Sequence, residues 1–113
     1  MDIENLQQRL RTFAAERAWD AYLTPKNLAM AMVVEAAELV EIFQWMTPEQ
    51  SQAVAADPVR HQHLGEEIAD VLLYLLQIAD RTGVDVAAAV EDKLQKNARK
   101  YPASTNPDPG SGA

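Results

Sequence analysis

At 113 residues and 48% hydrophobic content, the chain is apolar enough to fold as one domain around a modest core. A net charge of −7 disfavours a nucleic-acid backbone as partner, and the absence of cysteine excludes disulfides, thiolate metal sites and thiol catalysis. Met1-Asp2-Ile3-Glu4-Asn5 carries no basic stretch or apolar run of the signal-peptide kind, and apolar runs such as Val71 to Leu76 are far too short to span a bilayer. A cytoplasmic location is therefore expected.

Few glycines and prolines that sit mostly at segment edges favour a small number of long helices. Over Asp2 to Ala18, the residues Ile3, Leu6, Leu10 and Phe13 recur at spacings of three and four, the period of an amphipathic helix. Thr24-Pro25 is a cap followed by a first-turn proline, and predicts a second helix running to about Met46. Its stripe is Leu28, Met32, Leu39 and Ile42, with Glu35 in the middle. Because Ala29, Met30, Ala31, Val33 and Val34 make it apolar on nearly every side, it is expected to be central or covered by a second subunit. Thr47-Pro48-Glu49-Gln50 repeats the start signal with a capping-box Gln, and predicts a short helix ending before Asp57. Asp57-Pro58 opens another, stopped by Gly83, with Leu64, Ile68, Val71, Leu75 and Ile78 as its expected stripe. Asp85 caps a last helix from Val86 to about Lys100. The expectation is an all-α fold of four to five helices in an oligomeric bundle, with one domain over residues 1–102 and a disordered tail over 103–113.

Two carboxylate pairs carry the chemistry: Glu35-x-x-Glu38 and Glu67-x-x-Asp70, each projecting from one side of its helix. Taken singly, each acid has an ordinary solvated or ion-paired explanation. Glu35 is harder to explain so, because it stands where an apolar residue is expected and Lys26, the one base of its own helix, lies too far back. As two matched pairs the four acids favour a divalent cation, and oxygen-only ligands suit Mg2+, with Mn2+ as a substitute. A di-iron bundle of the ferritin kind would want Glu-x-x-His pairs, which these runs lack. His61 and His63 read as solvent-facing or helix-start residues. Glu41 and Glu66 lie away from the apolar stripes and read as solvated.

Other polar and aromatic groups narrow the ligand. Lys93, Asn97 and Tyr101 follow one another at i, i+4, i+8, with Lys100 beside them; they suit either a solvated helix end or phosphate contact. Trp19 and Trp45 suit the core or stacking on a nucleobase.

The runs Glu35-Ala-Ala-Glu38-Leu-Val-Glu41-Ile-Phe-Gln44-Trp45, Glu66-Glu67-Ile-Ala-Asp70-Val-Leu-Leu-Tyr74 and Lys93-x3-Asn97-x-Arg99-Lys100-Tyr101-Pro102 together resemble the MazG-like all-α nucleotide pyrophosphohydrolases, nearest their dCTP pyrophosphatase branch. The similarity runs from about Leu6 to Pro102. It implies Mg2+-dependent hydrolysis of a nucleoside triphosphate, dCTP-like or a modified dNTP, to monophosphate and pyrophosphate. It also implies Glu35, Glu38, Glu67 and Asp70 as metal ligands, with Glu38 or Glu41 as the base that takes a proton from water. Lys93, Asn97, Lys100 and Tyr101 would contact triphosphate and sugar, with Trp19, Trp45 and Tyr74 around the nucleotide. A homodimer or homotetramer is the implied assembly. Two alternatives stand beside it: a non-catalytic helical interaction module, whose properties would ignore Mg2+, and a phosphoribosyl-ATP pyrophosphohydrolase.

Overall fold

Each helix starts where a short polar side chain accepts a hydrogen bond from a backbone N–H that would otherwise lack a partner. In the computed structural model, which describes residues 1–103, Asp2 caps α1 (Ile3–Glu16) and Thr24 caps α2 (Pro25–Phe43). Thr47 caps α3 (Pro48–Ala53), Asp57 caps α4 (Pro58–Thr82) and Asp85 caps α5 (Val86–Lys100). Thr47 and Gln50 form a reciprocal capping box, with bonds of 3.0 and 3.1 Å. One 3-10 turn, Val54–Ala56, bridges α3 to the Asp57 cap. The fold is all-α, and no strand occurs among the described residues.

The described chain comprises two compact units, residues 1–83 and a second beginning at Val84. In the first, α4 is the hub: α2 packs against it most extensively, and α1 and the 3-10 turn also lie on it. Leu28 of α2 and Leu76 of α4 are the large fully buried side chains, joined in the core by Ala14, Val54 and Ala79. Truncating a buried leucine of this kind costs about 2–5 kcal/mol. The α1–α4 contact is keyed by polar bonds: Gln7 Nε2 donates to the Leu76 carbonyl at 3.0 Å, and Arg11 pairs with Asp80. Farther along, Arg81 pairs with Asp20 at 2.9 Å. The second unit is the single helix α5, whose residues after Val86 are all exposed.

Several boundaries and faces differ from the sequence expectation. Helix α2 stops at Phe43 rather than near Met46. Thr47 precedes a proline, which disfavours helical backbone, and it sits extended at ψ 162°; the chain therefore turns at Met46, whose N–H donates to the Phe43 carbonyl. Helix α1 ends at Glu16, two residues earlier than expected. The α4 stripe is also shifted: Ile68 and Leu75 are exposed, whereas Glu67, Leu76 and Ala79 are buried. The cause is that α4 serves partners on separate sides, so no single stripe is covered. On α2, Met30, Val33, Val34 and Val40 are exposed in the single chain. The expected tail over 103–113 lies, beyond Ala103, outside the described residues.

The end of α1 has a consequence for Trp19. The Trp19 N–H donates to the Ala14 carbonyl at 3.0 Å and the Ala18 N–H to the Ala15 carbonyl at 3.1 Å, the double-bonded stop that requires left-handed backbone at the residue between. That residue is Ala18, at φ 55°. A Cβ in this region costs about 1 kcal/mol, which glycine avoids. Ala18→Gly is therefore expected to raise stability by about 0.5–1 kcal/mol in urea unfolding, net of glycine's greater freedom when unfolded; a loss of stability would contradict this account of the turn.

Candidate active site

The i,i+3 spacing on α2 sends Glu35 and Glu38 to one side, and the packing of α4 sets Glu67 opposite them. Carboxylate oxygens of Glu35, Glu38 and Glu67 lie within 4.8 Å of one another. Glu67 is only 6% exposed, and its Oε2 has no hydrogen-bond partner. Its Oε1 is 3.4 Å from His63 Nε2, one turn back on α4. A buried carboxylate oxygen without a partner is costly, and among the described residues no lysine or arginine pairs with the three acids.

A proton takes part of the role of a counter-charge. The Glu35 carboxyl is pushed up from its usual 4.5 to about 7, first by its hydrogen bond to Glu67 and then by burial. The hydrogen bond to Glu38 and the negative charges of Glu38 and Asp70 add to this. Oxygen-only donors, mutual repulsion and the unpartnered Glu67 oxygen are what a hard divalent cation satisfies, so these residues fit one.

Asp70 stands outside the tight trio but acts on Glu35 through its charge, and its side chain lines a cavity of about 390 Å³. The walls of that cavity are apolar and aromatic: Leu10 and Phe13 of α1, Trp19 and Leu23 of the following turn, and Leu73 and Tyr74 of α4. The Phe13 and Trp19 rings meet edge to face at 5.6 Å, and the Arg17 guanidinium lies 3.4 Å from the centre of the Phe13 ring. A second cavity, of about 380 Å³, is lined by Glu38, Glu41, Ile42, Met46, Arg60 and His63.

Of the residues singled out from the sequence, Glu35, Glu38 and Glu67 come together, Asp70 stands outside them and acts on Glu35 through its charge, and Trp19 and Tyr74 share a cavity with Asp70. Glu41 is exposed beside Glu38 in the second cavity. Trp45 is 86% exposed beyond the end of α2 and lines neither cavity. Lys93, Asn97, Lys100 and Tyr101 belong to the second unit, where all four are exposed. There the Asn97 carbonyl accepts the Tyr101 N–H at 2.8 Å, and Lys100 Nζ lies 5.3 Å from the Tyr101 ring centre.

The sequence reading did not single out Arg60 or Gln77, took Phe13 only as part of the α1 stripe, and took His63 as solvent-facing or helix-start without its contact to Glu67. The i,i+4 spacing of His63 and Glu67 was a usable signal, as was the position of Gln77 one turn beyond Tyr74. Phe13 gave none, because its role depends on α1 lying against α4.

Known proteins resemble this chain in sequence and in fold. Residues 30–109 match the model of the MazG-like family. The chain is similar to dCTP pyrophosphatase 1 of Bos taurus, at 40% identity over 100 residues covering 88% of this chain and 59% of that protein. It is similar to the Homo sapiens protein of the same name at 41% over 101 residues, covering 89% of this chain and 59% of the relative. The chain thus spans about three-fifths of the length of the curated relatives it matches. A crystal structure of a pyrophosphatase from Archaeoglobus fulgidus superposes with a TM-score of 0.80 at 44% identity, over 88% of this chain and 92% of the other. Among the described residues, no helix is long and apolar enough to cross a membrane.

Two outcomes follow from the acid cluster. Below pH 4.5 Glu35 holds its proton whether folded or unfolded, and between 4.5 and about 7 only the folded chain holds it. Unfolding in that window releases a proton, so in chelator the protein loses stability as pH rises through it, and above about 7 that loss is complete. Thermal melts across the window are expected to show a steeper fall for the parent than for Glu35→Gln; parallel curves would contradict the shift. Glu67→Gln removes a buried charge from the cluster. In chelator it is expected to melt higher than the parent, by about 1 kcal/mol or more of stability, and to lose any stabilisation by Mg2+ or Mn2+.

Proposed function

The chain belongs to the MazG-like family, and on that premise we propose that it hydrolyses a nucleoside triphosphate, dCTP-like or a modified dNTP, between the α and β phosphates to give monophosphate and pyrophosphate. The observation that carries this reading is a cluster of acids with a buried, unpartnered carboxylate oxygen near a cavity walled by aromatic rings, linked by Asp70, which lines the cavity and acts on Glu35 through its charge.

Glu35, Glu38, Glu67 and Asp70 would hold Mg2+, for which Mn2+ can substitute. When bound, the cation supplies charge neutralisation on phosphate oxygens and a lowered pKa for a coordinated water. The rest falls to the chain. Trp19 and Tyr74 offer ring faces on which a base stacks, which fixes the nucleoside in the cavity and leaves the phosphates toward Asp70 and the acids. Water attacks phosphorus as the bond to the departing pyrophosphate breaks, and its proton passes to a carboxylate. Glu41 is the better placed acceptor: it lies outside the trio and beside Glu38, so its oxygens are uncommitted. Lys93, Asn97, Lys100 and Tyr101, and Trp45 on the nucleotide side, are assigned to substrate contact on their sequence motifs alone. The exposed Met30, Val33, Val34 and Val40 of α2 support a homo-oligomer, since scattered apolar residues are ordinary on a monomer but a run along one helix is not.

Incubation with Mg2+ and a panel of normal and modified nucleoside triphosphates is expected to release monophosphate and pyrophosphate together, and EDTA is expected to stop it. Glu38→Ala and Asp70→Ala should lose at least about a hundredfold in turnover, the scale for removal of one positioned charged group, while circular dichroism stays helical. Full activity in both variants would sink the assignment of the acids.

A further inference from the structure

Stacking holds any base, because every base has a π-face, so the aromatic walls of the larger cavity do not by themselves choose a substrate. The choice falls to the lining residues that carry polar side-chain atoms, and these are few: Asp70, Tyr74, Trp19 and Gln77. Asp70 is committed to the acid end, where its charge acts on Glu35. Gln77 sits two turns farther along the same side of α4, about 10 Å away by helical rise, comparable to the span from a nucleotide's α-phosphate to the outer edge of its base.

The orientation of the Gln77 amide is fixed by chemistry. Its Nε2 donates to the Leu73 carbonyl at 3.2 Å, an oxygen that can only accept. The amide therefore cannot flip without losing that bond, and Oε1 is left with no hydrogen-bond partner among the described residues. Gln77 lines the aromatic cavity and also borders a small recess formed with Gln7, Arg11, Asp80 and Arg81. A half-buried acceptor at this edge favours a ligand that brings a donor to it and disfavours one that brings a second acceptor.

We propose that Gln77 is a specificity-determining residue whose side-chain oxygen accepts a hydrogen bond from the exocyclic amino group of the base, so that cytosine is preferred over uracil in the same pocket. The inference rests on the pyrophosphohydrolase reading above and adds to it the group that reads the base. Cytosine offers an amino donor at ring position 4, where uracil offers a carbonyl oxygen that would face Oε1 acceptor to acceptor.

The test compares kcat/KM for dCTP and dUTP with Mg2+ in the parent, Gln77→Met and Gln77→Lys, each verified as helical by circular dichroism. The parent is expected to favour dCTP by about tenfold, the scale of one neutral hydrogen bond gained plus one acceptor clash avoided. Gln77→Met keeps the length without the acceptor and should bring the ratio to within about twofold of unity, chiefly through the dCTP value. Gln77→Lys replaces the acceptor with a donor and should invert the preference, which a merely structural role for Gln77 would not do. A parent without preference, or variants that keep the parental ratio, would overturn the role of Gln77 while leaving the hydrolytic reading intact. Absence of turnover on any nucleoside triphosphate would overturn that reading and this inference together.

Discussion

Three carboxyl groups drawn within 4.8 Å across the seam between α2 and α4 set the terms for the rest of the first unit. Left to themselves, like charges at this distance push the two helices apart. The apolar packing that resists them is thin: two fully buried leucines, one valine and two alanines. The unit compensates with a proton on Glu35 and with well-capped helices that hold the seam in register. Stability near neutral pH is thereby exchanged for a cavity edge of concentrated negative charge, the arrangement from which a cation gains most.

The helix starts were legible because each is written in two or three adjacent residues: Thr24-Pro25, Thr47-Pro48 and Asp57-Pro58 each satisfy local backbone donors. The acids were legible for a related reason, since Glu35 breaks an apolar stripe that period alone reveals. What failed depended on neighbours. The face of α4 could not be drawn from its own sequence, because α1 and α2 cover different sides and leave Ile68 and Leu75 uncovered. His63 is solvent-facing as read, but its approach to Glu67 could be seen only with the helix in place. The aromatic cavity needed Phe13 and Trp19 to be placed by the end of α1, where an alanine rather than a glycine takes the left-handed turn and no composition signal marks it.

Charge and shape are divided between the two cavities. One joins aromatic walls to a single acid, and the other sets Glu38 and Glu41 opposite Arg60 and His63, the only basic side chains on its lining. Because α2 and α4 both contribute to the acid cluster, displacement of either helix would disturb it and the cavity edges that Glu38 and Asp70 form. This coupling explains why the polar keys between α1 and α4, Gln7 to Leu76 and Arg11 to Asp80, matter beyond their own modest energies.

The paired caps at Thr24-Pro25 and Asp57-Pro58 also decide where the chain can change length. A residue inserted between a cap and its acid would turn that acid by about 100° around the helix, away from the seam. The stretches Pro25 to Glu38 and Pro58 to Asp70 should therefore tolerate neither insertion nor deletion, even where their exposed positions accept substitution. The connection from Gln44 to Asp57 carries none of the acids in the cluster and ends in a cap of its own. Length variation among functional descendants of this sequence has a natural outlet there.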